Sequence, residues 1–137
     1  MSRRALAAIS LACLACGSAT DNGPVTISLE GSWNYAAIQA APAANLTGTL
    51  RVEDQNSATF VGTIQFTETD AQGGVRNRTG DVSGRVIGSD VVDFDMDVEG
   101  VSRRHVGLMQ GDSIAGTWAT TTGPALLSGS FKAKRRP

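Results

Sequence analysis

The chain has 137 residues, of which 41% are hydrophobic and 18% are charged, and its formal net charge is −1. This length fits one domain with a modest core. The charge balance gives no reason to expect a nucleic-acid partner, and the only basic cluster, residues 132–136, is expected to be a solvated chain end.

The first predicted element is an export signal. Arg3 and Arg4 give a positive start, residues 5–15 form an apolar run, and Cys16 follows it directly. The run is shorter than the ~20 residues that a helix needs to span a bilayer, so we do not expect a transmembrane anchor.

The residues around the second cysteine carry a resemblance. Leu14-Ala15-Cys16 followed by Gly17 resembles the signal of bacterial lipoproteins. That resemblance implies cleavage before Cys16, a lipid anchor on its sulfur that attaches the protein to a membrane, and an outer-membrane location in the cell envelope. Lipidation of Cys13, or an ordinary cleaved signal that leaves a periplasmic or secreted protein, are the alternatives. Cleavage before Cys16 excludes a disulfide within the mature chain.

Three segments therefore follow from the N-terminal pattern. Residues 1–15 are a predicted signal peptide, residues 16–29 a flexible tether rich in Gly, Ser, Asn and Pro, and residues 30–137 the folded domain. Loss of the signal arginines leaves 10 basic against 13 acidic side chains. The mature protein is therefore acidic overall.

From Gly31 onward, apolar residues alternate with polar ones at period two, and turn signals separate the segments. The pattern predicts eight strands, at residues 32–40, 46–53, 59–70, 76–87, 91–98, 102–110, 113–122 and 125–134. Because every connection is short, neighbours in sequence are expected to pair antiparallel.

The predicted hairpins place glycine opposite aromatic residues, as in the pairs Gly84 with Phe94, Gly116 with Phe131 and Gly129 with Trp118. Glycine in a strand indicates a bend or a bulky neighbour, and closing a sheet into a small barrel requires both. We therefore predict an eight-stranded antiparallel up-and-down β-barrel, with an open meander or a β-sandwich as the alternative.

Hairpin parity also predicts which side chains face the barrel interior. Three-residue turns at 99–101 and 110–112 would turn Arg104, Val106 and Leu108 inward and His105 outward. The predicted interior comprises Trp33, Tyr35, Leu50, Val52, Phe60, Ile64, Phe66, Val82, Val86, Phe94, Met96, Val106, Leu108, Ile114, Trp118, Leu127 and Phe131.

The start of the first strand carries a second resemblance. Gly31-Ser32-Trp33 resembles the Gly-x-Trp that opens lipocalins and related calycin barrels. The resemblance implies that Trp33 packs across one end of the barrel under a basic residue of the last strand, which by parity is Arg135. It also implies a small apolar or amphipathic ligand.

Catalytic and metal chemistry find little support. His105 is the only histidine, and a solvated pair with Asp95 is the expected setting for it. The alternate carboxylates Asp93, Asp95 and Asp97 each stand ~6.6–6.8 Å from the next along the strand, too far to close round one calcium ion. We expect no enzyme, no metal and no cofactor.

Arg104 is the polar residue of most interest in this pattern. An inward Arg104 opposite Trp118 needs a carboxylate or an anionic ligand, unless its head reaches water at the barrel rim. The candidate ligand-binding residues are Arg104, Trp118, Tyr35 and Trp33.

Two functions are then open: a lipid-anchored envelope protein that binds a small ligand, or a ligand-free structural or protein-interaction domain. A cavity smaller than the ~300 Å³ low end for ligand sites would contradict the first.

Overall fold

The computed structural model describes residues 27–137, so the predictions for the signal peptide, for Cys16 and for most of the tether lie outside the described residues. Eight strands follow in chain order: β1 Gly31–Gln39, β2 Ala44–Asn56, β3 Thr59–Asp70, β4 Val75–Ile87, β5 Val91–Val98, β6 Val101–Gln110, β7 Ser113–Thr120 and β8 Ser128–Arg135. Each pairs antiparallel with its neighbour in sequence, and β8 pairs with β1. The predicted closed up-and-down barrel is confirmed, and the open alternatives are wrong.

Two of the predicted hairpin registers are also confirmed. Gly84 lies opposite Phe94 between β4 and β5, and Gly129 lies opposite Trp118 between β7 and β8. The second register holds although the connection from β7 to β8 spans residues 121–127 and is not a two-residue turn. The alternation of side chains across the sheet was sufficient to fix these pairs.

The predicted three-residue turns on either side of β6, and with them its inward residues, are wrong. Val98 pairs with Val101 and Gln110 pairs with Ser113, so each flanking turn has two residues and not three. Glu99 and Gly100 both have positive φ, 53° and 78°, as tight two-residue hairpin turns require. Because a one-residue slip inverts a strand, the inward residues are Arg103, His105 and Gly107, whereas Arg104, Val106 and Leu108 face outward.

The core otherwise follows the predicted list. Val106 and Leu108 are 40% and 50% exposed and Leu127 is half-buried, but the other predicted interior residues are buried. Further members of the core are Leu29, Ala37, Ala44, Leu46, Val92, Val98 and Ala133.

The two barrel ends differ. At the entry end, where the described chain begins, Trp33 donates from Nε1 to the carbonyl oxygen of Leu29 at 2.8 Å. The Arg135 guanidinium lies 4.3 Å from the centre of the Trp33 ring and donates to the carbonyls of Glu30 and Ser28. The predicted packing of Trp33 under Arg135 is confirmed, and it closes this end.

The opposite end, the mouth end, is formed by the turns that follow β1, β3, β5 and β7. No helix among residues 27–137 is long and apolar enough to cross a membrane.

Candidate functional site

A pair of hydrogen-bonded polar rings occupies the middle of the barrel. His105, on β6, is fully buried, and its Nε2 lies 2.8 Å from the Tyr35 hydroxyl of β1. Its Nδ1 lies 3.0 Å from the carbonyl oxygen of Arg103. Because a carbonyl only accepts, Nδ1 carries the proton, and Nε2 therefore accepts from the Tyr35 hydroxyl.

Burial keeps both rings neutral. It lowers the pKa of His105 to about 3; the hydrogen bond to the Arg103 carbonyl opposes this shift, and the Arg103 charge adds to it. Burial also raises the pKa of Tyr35. The pair therefore braces β6 against β1 and offers no proton donor or acceptor to solvent near neutral pH.

Aromatic side chains fill this level of the barrel. The His105 ring stacks on Phe94 at a centroid distance of 4.7 Å and meets the edge of Phe131 at 4.8 Å. The ring centroids of Tyr35 and Phe131 lie 6.4 Å apart. Side chains packed this closely leave the mouth end, and not the barrel centre, as the place for a ligand.

Arg103 lies one step nearer the mouth end and is 5% exposed. Its guanidinium is 5.5 Å from the centre of the Phe66 ring and 5.4 Å from that of Trp118. Within the described residues, its buried Nε and Nη1 have no hydrogen-bond partner. Burial lowers the pKa of Arg103, an effect that Glu68 opposes, but an arginine stays charged in proteins. The structure thus holds a buried cation with two unused donors.

The carboxylate nearest this cation is shared. Glu68 Oε2 lies 4.0 Å from Arg103 Nη2, beyond hydrogen-bond range, but 2.8 Å from Arg78 Nε. Arg78 also pairs with Glu99. Glu68 therefore satisfies Arg78 first and balances the charge of Arg103 only in part.

A cleft of about 360 Å³ opens at the mouth end beside Glu68, between the ends of the β1–β2 and β3–β4 hairpins. We call it the mouth cleft. It is lined by Gln39, Pro42, Ala43, Ala44, Glu68, Asp70, Ala71, Gln72, Gly74 and Arg76. Gln39 is buried and donates from Nε2 to the Pro42 carbonyl at 2.6 Å, while its Oε1 has no donor among residues 27–137. The cleft combines polar groups with a small-residue rim and exceeds the low end of ligand sites, ~300 Å³.

The four candidate ligand residues lie in three places: Tyr35 and Trp118 inside the barrel, Trp33 at its entry end and Arg104 on its outer surface. The ring centroids of Tyr35 and Trp118 lie 5.8 and 6.1 Å from that of His105, and the Trp118 ring also contacts the Arg103 guanidinium. Trp33 lies at the entry end under Arg135. The structure therefore brings together two of the four.

The inward placement of Arg104 is wrong. Its side chain is 53% exposed and donates to both carboxylate oxygens of Asp93, at 3.1 and 2.8 Å. This hydrogen bond is the main reason that the pKa of Asp93 lies below its usual value. The two-residue turns on either side of β6 exchange Arg104 for Arg103 at the inward position.

Arg103, Gln39 and Glu68 are the residues that the sequence analysis missed. The signal that would have found Arg103 was Glu99-Gly100, since glycine at the second position of a two-residue loop is typical of a tight hairpin. Gln39 and Glu68 come near the site only through barrel closure, for which a single sequence carries no comparable signal.

No protein-family model matches the chain, and no curated protein sequence matches it. Among solved structures, a redesigned β-barrel, mFAP1, bound to DFHBI is similar, with a TM-score of 0.65 and 14% identity over 78% of this chain and 94% of that one. EF1p2_mFAP2b bound to DFHBI has a TM-score of 0.64 and 15% identity over 79% of this chain and 94% of that one. A de novo designed fluorescence-activating β-barrel has a TM-score of 0.58 and 17% identity over 78% and 93%. At these identities the likeness shows the fold alone.

Proposed function

We propose that this barrel is a non-enzymatic binding module that takes a small amphipathic molecule at the mouth cleft, with an acceptor group of the ligand on Arg103. The observation that carries the proposal is the pair of buried Arg103 nitrogens without hydrogen-bond partners in the described chain. Unsatisfied buried donors are costly, and most buried polar groups in proteins are paired. A ligand carboxylate or other oxygen acceptor would supply the missing partner.

The surroundings suit such a molecule. Phe66 and Trp118 flank the guanidinium, and alanine and proline side chains form the rim of the mouth cleft. Glu68 lines the mouth cleft and lies 4.0 Å from Arg103 Nη2, whereas Arg103 itself does not line the cleft. In this proposal a ligand head reaches the buried nitrogens by displacing the Glu68 carboxylate toward Arg78. The neighbours bound to DFHBI support the proposal, because barrels of this fold hold a small molecule.

Replacing Arg103 with glutamine is expected to weaken ligand binding at least about 10-fold, since hydrogen bonds to a charged group contribute ~1.5–3 kcal/mol. Arg104→Gln is the matched control, because Arg104 is next in sequence but outside the barrel. The probe is dodecanoate, titrated into labelled protein and followed by NMR. The chain has two tryptophans, so the indole signal of Trp118 should move while that of Trp33 at the entry end serves as an internal reference.

If dodecanoate moves neither indole signal of the wild-type protein, or binds Arg103→Gln as well as Arg104→Gln, the barrel does not use Arg103 for a ligand. The second function, a ligand-free structural or protein-interaction domain of the cell envelope, would then be favoured. The observation that favours this second function is the close packing of aromatic rings around His105.

We also propose that the protein is an exported lipoprotein, acylated on Cys16 and held at the outer membrane. The support is the sequence pattern alone: Arg3 and Arg4, the apolar run, and Leu14-Ala15-Cys16 followed by Gly17.

Cys16→Ala is expected to move the protein from the membrane fraction to the soluble fraction, whereas Cys13→Ala should leave it in the membrane, because only Cys16 survives the proposed cleavage. Intact mass spectrometry of the wild-type protein from its own membranes should show a chain that begins at Cys16 and carries acyl mass. Loss of the anchor in Cys13→Ala but not in Cys16→Ala would assign the lipid to Cys13. An unmodified chain with another N-terminus would identify an ordinary signal and contradict the lipoprotein proposal.

A further inference from the structure

The outward side of β6, β7, β8 and β1 has an unusual composition. Within these described strands, no outward position carries a carboxylate, and the outward residues of β7 and β8 are serine, alanine, threonine and lysine. On β6 and β1 the outward positions include large apolar side chains. We call this surface the basic face; its defining residues are Lys132, Lys134, Arg136, Ile38, Val106 and Leu108.

Apolar side chains lie on β6 and β1, the two strands at the edges of the basic face. Ile38 is 57% exposed, Leu108 is 50% exposed and Val106 is 40% exposed. Small residues separate them across β7 and β8: Val106 pairs with Thr117, which pairs with Ser130, and Ser130 pairs with Ile38. Small neighbours leave these side chains free to contact a flat partner.

The cations of the basic face keep their charge uncompensated. Lys132 and Lys134 form no ion pair among residues 27–137. Arg136 donates to neutral acceptors, Asn34 Oδ1 at 2.6 Å and Thr49 Oγ1 at 2.7 Å. Three positive charges are therefore available to an anionic surface.

The far side of the barrel has the opposite charge. In a ring of eight strands, β4 and β5 lie across from β8 and β1. Their outward positions include Asp81, Asp95 and Asp97, with Asp81 directly opposite Asp97 in the register. An external negative surface would attract the basic face and repel this acidic wall, so the charge distribution orients the barrel.

We propose that the basic face docks on an anionic lipid surface. Lipid interfaces accept exposed apolar side chains and attract lysine and arginine, and lysine stems lie along apolar surface while their heads reach phosphates. The proposal uses only residues of the described barrel, so it stands whether or not Cys16 is acylated and whether or not Arg103 binds a ligand. In an acylated protein, the face would add a second membrane-binding signal to the lipid.

The test uses the proposed mature chain, residues 16–137, with Cys16→Ser, which removes acylation, and cosedimentation with vesicles. The protein should bind vesicles of phosphatidylcholine and phosphatidylglycerol in equal parts, bind phosphatidylcholine alone much more weakly, and be released by salt. The double variant Lys132→Gln and Lys134→Gln should bind roughly 20- to 30-fold more weakly, from about 1 kcal/mol per charge near the surface. Asp95→Asn with Asp97→Asn is the matched control on the acidic wall and should not weaken binding.

Three results would overturn the proposal. The first is no binding of the parent chain to phosphatidylglycerol vesicles at low salt. The second is equal loss of binding in the lysine and aspartate variants. The third is retention on immobilised polyglutamate without any binding to vesicles, which would point to an acidic protein partner. The indole signals of Trp33 and Trp118 report that each variant is folded, since both rings are buried.

Discussion

Replacing Gly129 with alanine is expected to destabilise the barrel by more than about 4 kcal/mol, among the largest effects of a single substitution. A Cβ at this position would overlap the carbonyl oxygen of Ile38 on β1 and lie 2.7 Å from its carbonyl carbon and 3.1 Å from Trp118 Nε1. The obstacle is backbone, and it belongs to the β1–β8 pairing that closes the barrel. The strands cannot separate there without loss of ladder hydrogen bonds.

Gly88→Ala is the matched control. Gly88, in the turn between β4 and β5, has φ +63°, but a Cβ there meets nothing within 4 Å. Its cost is conformational only, about 1–2 kcal/mol for a residue with a side chain in the left-handed region. Urea unfolding of both variants measures the difference. An equal or smaller loss in Gly129→Ala would show that the β1–β8 seam tolerates expansion, against the steric argument.

Gly129 also shows how far the sequence predicts the fold. Its position opposite Trp118 follows from the hairpin pattern and correctly indicated a bent, closed sheet. Its contact with Ile38 was not predictable, because that contact depends on the β1–β8 register, and no short turn links these strands. Local hairpins could be aligned by side-chain parity, whereas the register of the closing pair is set only when the whole barrel forms.

The candidate site was mispredicted at β6, where two local rules disagree. Apolar Val106 and Leu108 favour one face inward, and the tight Glu99-Gly100 turn favours the other. The turn prevails, and the polar face becomes stable inside because Tyr35 satisfies His105. A strand that violates the hydrophobic pattern is where functional constraint is expected, and Arg103 on this strand lies 4.0 Å from Glu68, which lines the mouth cleft.

The free energy of unfolding is expected to fall as the pH drops from 6.5 toward 3, by up to about 1.4 kcal/mol per pH unit from His105 alone. Burial lowers the pKa of His105 to about 3 in the folded protein, whereas an unperturbed histidine has a pKa of 6.5. Between these values the unfolded chain takes up a proton that the folded protein does not. The free energy of unfolding therefore has its full value, as far as His105 is concerned, above pH 6.5 and decreases as the pH falls from 6.5 to 3. Asp93, whose pKa is also lowered, acts in the same direction but only near and below its ordinary value of 3.8.

His105→Gln isolates this contribution, because a glutamine amide can accept from Tyr35 and donate to the Arg103 carbonyl without titrating. The variant should be less stable at pH 7 but should lose less stability than the wild type between pH 6.5 and 4.5. Since His105 is the only histidine, NMR gives a second measurement on the wild type: its ring nitrogens should show the neutral form with the proton on Nδ1 at pH 5. A protonated ring at that pH, or parallel pH profiles for the two proteins, would show that the buried Tyr35–His105 pair does not hold the imidazole neutral.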